Sequence, residues 1–140
     1  MPDPDLFARF RAAMGADFRG FETTVGYRIA VEGEVARIHL EVADHHLNVY
    51  GTGHGGVTLT MLDVAGGVQA YVVAQPERMA TINLAAQFLD LVRPGPIVAT
   101  ASIDRLGKAV AHTSVALRQG GVDGPLLATA VASYRLFHAR

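Results

Sequence analysis

The strongest constraint on the fold is a long apolar segment between Gly55 and Ala74. Placed on a helix, its apolar residues fall on nearly every side, and a helix that is apolar all round is typically buried. Pro76 predicts its end. The segment is nearly long enough to cross a membrane, but the carboxylate of Asp63 at its middle would be costly in lipid, so we interpret residues 55–74 as a core helix. The other elements are then expected to wrap around it.

The remaining segments predict strands grouped around that helix. Spaced large apolar residues predict a short amphipathic helix at the N-terminus, over residues 3–18. Alternating apolar and polar residues, separated by turn signals, predict strands at 25–31, 36–42, 79–92, 97–106, 109–118 and 126–137. Because strands and helices do not alternate, a doubly wound parallel sheet is disfavoured. The sequence predicts an α+β fold in which a curved antiparallel sheet of five to six strands surrounds one long helix.

Size and composition predict a single domain over residues 1–140. Half of the residues are hydrophobic and 18% are charged, which is enough apolar material for a core. The formal net charge of −1 gives no electrostatic signature of binding to nucleic acid or anionic membranes. The chain has no cysteine, which excludes disulfides, thiol nucleophiles and cysteine–zinc sites. Acidic residues and the lack of an apolar run at its start predict a cytoplasmic protein.

Asp63 is the first candidate for chemistry. Between His54 and Glu77 it is the only charged side chain, and it lies in the most apolar part of the chain. A buried carboxylate needs hydrogen bonds, an ion pair, a proton or a cavity. One interpretation is structural, with the carboxylate bonded to nearby backbone or to an arginine. The other is catalytic, since a carboxylate shielded from water is suited to act as a base.

The second candidate is the loop that leads into the core helix and ends in His54-Gly55-Gly56. Glycines at a helix start let backbone N–H groups approach a ligand closely, and the helix dipole favours negative charge there. These are the requirements of an oxyanion hole for attack on an acyl carbonyl. Glycine also serves simply as an N-cap, which is the structural alternative.

The spacing of Gly55 and Asp63 has a consequence for assembly. The two residues are eight positions apart, which is a rise of about 12 Å on one helix. A base and an oxyanion donor must both lie within about 3 Å of the reacting group, so one helix cannot supply both to one carbonyl. Two antiparallel copies related by a two-fold axis would bring Gly55 of one chain near Asp63 of the other. If both are catalytic, a homodimer with two shared sites follows.

At these residues the sequence resembles the hotdog-fold thioesterases, in particular the acyl-CoA and phenylacetyl-CoA thioesterases of phenylacetic acid degradation. The family pattern is H-x-N, then G-x-x-H-G-G, then an acidic residue seven positions after the second glycine. It stands here as His46-x-Asn48, Gly51-x-x-His54-Gly55-Gly56 and Asp63. Weaker likeness at residues 81–84, 88–89, 93–95 and 133–135 extends the resemblance over residues 25–137.

The resemblance implies a hydrolase of acyl-CoA thioesters, with an aryl or medium-chain acyl group, that needs no metal or cofactor. It implies that the Gly55 N–H polarises the thioester carbonyl with help from Asn48. Asp63 of the partner chain would be the nucleophile or the base for water. His54 would assist the leaving thiolate, and Thr81 would orient the attacking water.

Further residues are expected to contact the substrate. Gly56 and His46 belong to the matching motif, and Arg93, Arg78 and Lys108 could meet the phosphates of coenzyme A. The three histidines of the loop lack the spacing of a metal site, so no metal is expected. The homodimer is expected to pair into a dimer of dimers, without nucleic-acid or membrane partners.

Two other functions stay open from the sequence. One is a hydratase or dehydratase on the same fold, although such relatives place a catalytic histidine near their acid and none follows Asp63 before His112. The other is a non-catalytic module that binds or senses acyl-CoA, because a fold does not by itself imply chemistry.

Overall fold

Six strands and two α-helices make up the part of the chain that the computed structural model describes, residues 20–140. They are helix α1 (Phe21–Val25), strands β1 (Arg28–Glu32) and β2 (Val35–Val42), helix α2 (Gly55–Ala74), and strands β3 (Arg78–Phe88), β4 (Gly95–Leu106), β5 (Val110–Gln119) and β6 (Leu126–Phe137). A 3-10 turn at Asp44–His46 follows β2. The helix predicted over residues 3–18 lies outside the described residues.

The strands form one antiparallel sheet in the order β1-β2-β4-β5-β6-β3. It curves around α2, which confirms the predicted α+β class and hotdog architecture. The sheet has six strands, where five to six were predicted. Strands β1 and β3 are the two edges of the sheet. These edges therefore flank the side of α2 that the sheet leaves uncovered.

Helix α2 has the predicted bounds, and Gln75 ends it by adopting the left-handed conformation with φ 48° just before Pro76. Helix α2 is a buried helix, as predicted, but it is not buried on every side. Five residues spaced three or four positions apart, and therefore on one face, are exposed or half-buried. We call this face the open stripe, and it consists of Gly56, Leu59, Asp63, Gly67 and Tyr71.

The core lies between the opposite face of α2 and the concave side of the sheet. Met61 and Leu62 of the helix are completely buried and belong to one cluster with Ile38, Ile97 and Leu117 from three strands. By length and composition alone α2 could cross a membrane, but 50% of the relevant window is buried inside the fold. This packing agrees with the interpretation of α2 as a core helix.

Two predicted strands differ from the structure at one end. The strand predicted from residue 25 begins at Arg28, because Phe21–Val25 form α1 and Gly26, with φ 87°, ends that helix. The strand predicted to residue 92 ends at Phe88. Beyond it, the Leu89 N–H bonds the Leu127 carbonyl as the chain turns towards β4.

Candidate functional site

Asp63 and Thr81, two of the predicted residues, meet at the middle of the open stripe. The Thr81 hydroxyl, on edge strand β3, donates to Asp63 Oδ1 at 2.8 Å. A hydrogen bond to an ionised carboxylate is among the stronger kinds and holds the side chain in place. Within residues 20–140 Asp63 makes no ion pair, so the structural interpretation that pairs it with an arginine is not supported. Asp63 is half-buried in this arrangement.

A cavity of about 380 Å³ opens beside the Asp63 carboxylate. Both sheet edges contribute to its wall, since Ile29 belongs to β1 and Met79 to β3. Most of the lining is apolar or aromatic and includes Tyr27, Val64, Val68 and Tyr71, with the charged residues Glu77 and Arg78 also on the wall. Small-molecule sites in proteins are typically clefts of this size, with an apolar wall and few polar groups.

Tyr134 also lines this cavity, and the sequence reasoning did not assign it to the site. Its ring is 2% exposed, and its hydroxyl donates to the backbone carbonyl of Asp63 at 2.8 Å. Burial, and then the charge of Asp63, raise the pKa of the Tyr134 hydroxyl, so it stays protonated and able to donate near neutral pH. The alternating pattern of its strand indicates that Tyr134 lies on the buried face, but no sequence signal indicates its contact with α2.

At the start of α2 the two glycine N–H groups are in different situations. His54 is the N-cap, and its Nδ1 accepts a hydrogen bond from the Gly56 N–H at 2.9 Å. Among residues 20–140 no hydrogen bond uses the Gly55 N–H. The Gly55 N–H is therefore available as a donor, whereas the Gly56 N–H is already engaged. With Nδ1 accepting, a neutral His54 ring carries its proton on Nε2.

The structure does not bring Gly55 and Asp63 together within one chain. A side chain at position 55 would contact Phe88 at 3.6 Å, whereas Asp63 contacts Thr81. These two partners lie at distant points of β3, about 23 Å apart along the strand. A single protomer therefore contains two half-sites that are separated along the open stripe.

Asn48 organises the loop before α2. Its Oδ1 accepts from the backbone N–H groups of Tyr50 at 2.9 Å and Thr52 at 3.2 Å, and its Nδ2 donates to the Thr52 hydroxyl at 3.0 Å. The amide nitrogen has two hydrogens and so retains one for a further acceptor. The predicted help with the carbonyl could come only from this nitrogen. The same loop is tied to the chain after β3 by the Gly53 N–H, which donates to the Val92 carbonyl at 2.7 Å.

The prediction that His46 contacts the substrate is wrong for the structure as it stands. Its side chain is 5% exposed, its Nδ1 accepts from the Ala43 N–H at 3.0 Å, and its Nε2 lies 2.6 Å from the Val25 carbonyl. Both ring nitrogens are therefore used: Nδ1 caps the 3-10 turn at Ala43, and Nε2 joins that turn to α1. Within residues 20–140 no group of three or more His, Asp or Glu side chains could hold a metal ion.

The basic candidates lie at different ends of the sheet. Arg93 is exposed just before β4, and Lys108 is exposed just after it. A strand of the length of β4 spans about 40 Å, so the two residues of one chain cannot contact the same phosphate. Arg78 is the one that lines the cavity, and its guanidinium lies 4.8 Å from the centroid of the Phe137 ring.

Comparison with known proteins gives consistent matches. The family model described as the thioesterase superfamily matches residues 50–125, which include Gly55, Asp63 and Thr81 but not Asn48. Human acyl-coenzyme A thioesterase 13 is 28% identical over 102 residues, which are 71% of this chain and 73% of the relative.

Solved structures resemble the chain over most of its length. Thioesterase superfamily member 2 from zebrafish superposes with a TM-score of 0.79 at 21% identity, covering 97% of this chain and 99% of that structure. A phenylacetic acid degradation-related protein from Ralstonia eutropha superposes with a TM-score of 0.71 at 28% identity, covering 91% and 98%.

Proposed function

The chain belongs to the thioesterase superfamily, and we propose that within it the protein is a cytoplasmic acyl-CoA thioesterase acting on aryl or medium-chain acyl groups. The observation that carries the proposal is the Asp63 carboxylate, held by the Thr81 hydroxyl at 2.8 Å beside an apolar cavity. The likeness to human acyl-coenzyme A thioesterase 13 supports coenzyme A as the thiol. The likeness to a phenylacetic acid degradation-related protein supports an aryl group.

In the proposed reaction the thioester carbonyl carbon is attacked either by Asp63 itself or by a water molecule that Asp63 deprotonates. The Gly55 N–H at the start of α2 donates to the oxygen as it becomes negative. The C–S bond then breaks, and the leaving thiolate of coenzyme A accepts a hydrogen bond from His54 Nε2 and takes its proton from solvent, to which Asp63 returns any proton that it took from water. If Asp63 is the nucleophile, water hydrolyses the resulting anhydride in a second step. The Thr81 hydroxyl holds the carboxylate in either case.

The proposed enzyme is a homodimer, because the two half-sites of one chain are too far apart to act on one carbonyl. Edge strand β3 offers a surface for pairing, since its backbone edge is unpaired within residues 20–140 and it exposes Ile82 and Phe88, each more than half exposed. Antiparallel pairing of two β3 strands would place Gly55 of one protomer towards Asp63 of the other. Such dimers would pair further into a tetramer.

Release of free thiol from a panel of CoA esters tests the proposed function. Phenylacetyl-, octanoyl- and acetyl-CoA are incubated with the purified protein, and we expect the first two to be hydrolysed faster than the third. Tight binding of the esters without thiol release would instead indicate an acyl-CoA-binding module. A change in enoyl absorbance with a hydroxyacyl-CoA, again without thiol release, would indicate a hydratase or dehydratase.

Val64→Phe tests whether the cavity holds the acyl group. Val64 is half-buried on α2 and lines the cavity next to Asp63, so a larger ring there should reduce the space for the acyl chain. We expect kcat/KM for phenylacetyl- or octanoyl-CoA to fall about tenfold or more relative to acetyl-CoA. A mismatch of even one methylene group between substrate and apolar pocket typically changes kcat/KM by about that much. Val73→Phe is the matched control, because Val73 lies on the same helix outside the cavity. Equal loss for all three esters would exclude this cavity as the acyl site.

A further inference from the structure

Tyr134 makes a contact with α2 that the proposed mechanism does not use. The residue lies in β6, the strand next to edge strand β3, and its hydroxyl donates across to the Asp63 backbone carbonyl of the helix at 2.8 Å. The residue is 2% exposed, so its ring is enclosed by neighbouring groups. Thr113 lies beside the hydroxyl and is itself 1% exposed. The backbone of the helix turn that carries Asp63 is therefore bonded to β6 by a buried donor.

The sequence of α2 makes room for this contact. Gly66 and Gly67 stand in the middle of a helix, where glycine is among the least favourable residues. A Cβ at position 66 would overlap the Tyr134 hydroxyl and lie 2.8 Å from Thr113 Oγ1, and a Cβ at position 67 would lie 3.3 Å from Tyr134 Cε1. The paired glycines are thus explained by the close approach of one tyrosine.

The side chain of Asp63 is held by Thr81, the residue paired with Tyr134 across β3 and β6, whose hydroxyl donates to the Asp63 carboxylate. We propose that Tyr134 is a positioning residue, which fixes the backbone of Asp63 so that its carboxylate meets both Thr81 and the reacting carbonyl. The inference rests on the proposed function, since it assigns Tyr134 a part in setting the geometry of that reaction. Misplacement of a catalytic group by about 1 Å can cost about a hundredfold in rate.

Tyr134→Phe tests the inference, because it keeps the ring packed against Gly66 and Gly67 and removes only the donor. We expect kcat for the best CoA ester to fall tenfold or more with KM little changed. Ile97→Val is the stability control: it trims a residue that is 1% exposed in the main core, away from the site, and it should lower Tm without lowering kcat. Wild-type kcat in Tyr134→Phe would overturn the inference.

A double-mutant cycle with Asp63→Asn separates positioning of Asp63 from any other role. If Tyr134 acts through Asp63, Tyr134→Phe should have almost no further effect on the residual rate of Asp63→Asn, whereas full additivity would overturn the inference. Gly66→Ala is a second variant that displaces the hydroxyl while leaving the phenol intact, and it should reproduce the loss in kcat. Absence of thiol release from the wild-type protein would instead contradict the proposed function itself.

Discussion

Asp63→Asn is expected to lower kcat/KM for acyl-CoA hydrolysis by about a thousandfold or more, without unfolding the protein. Asparagine has nearly the same size and can still accept the Thr81 hydrogen bond through its carbonyl oxygen. It can neither deprotonate water nor form an anhydride. Loss of a general base typically costs about a hundredfold to ten-thousandfold, and loss of a nucleophile more. Thiol release measured with wild type and variant side by side gives the result.

Asp104→Asn is the matched control for this substitution. The Asp104 carboxylate also accepts a hydrogen bond from a hydroxyl, that of Ser114 at 2.6 Å, but it is exposed on β4 and does not line the cavity beside Asp63. It should retain full activity. Equal activity in wild type and Asp63→Asn would make Asp63 a structural carboxylate.

Gly55→Pro is expected to lower kcat by about a hundredfold to a thousandfold, because it removes the backbone N–H assigned to the oxyanion, and this is the usual cost of losing one oxyanion donor. The fold should tolerate proline there. Gly55 is the first residue of α2, the helix position at which proline is favoured. The preceding His54 already has φ −61° and ψ 140°, the conformation required before proline.

Gly55→Ala separates loss of the N–H from the effect of added bulk. Its Cβ would lie 3.6 Å from Phe88 Cε1, an ordinary contact, and it keeps the N–H, so we expect a loss of severalfold at most. Similar losses in the alanine and proline variants would show that the Gly55 N–H is not the donor. Circular dichroism of both variants checks that α2 is preserved.

The core helix and its Asp63 could be predicted from the sequence because both depend on a local pattern. Twenty residues with one charge, bounded by glycine and Pro76, leave few alternatives, and the structure gives the predicted bounds. The hydrogen bond between Asp63 and Thr81 was not predicted: the family resemblance assigned Thr81 to the attacking water, and the bond joins residues that are distant in the chain. Hydrophobic periodicity alone does not specify such a contact.

The remaining parts of the site depend on packing that local patterns do not encode. The open stripe exists because the sheet edges β1 and β3 do not close over α2, so a helix that looks apolar all round keeps one accessible face. The alternating pattern of its strand indicates only that Tyr134 is a core residue. Its packing against Gly66 and Gly67 is visible only in the structure. His46 reads as part of a ligand-binding motif, but its bonds to Val25 and Ala43 make it structural.

The central claim is that one thioester site combines Asp63 of one protomer with Gly55 of the other, and a hybrid dimer tests it most directly. Asp63→Asn and Gly55→Pro chains with different affinity tags are co-expressed, and the hybrid is isolated by sequential purification on both tags. One of its two sites carries both substitutions and the other carries neither, so thiol release should return to about half of the wild-type rate. A hybrid no more active than the two parent variants would contradict the shared site.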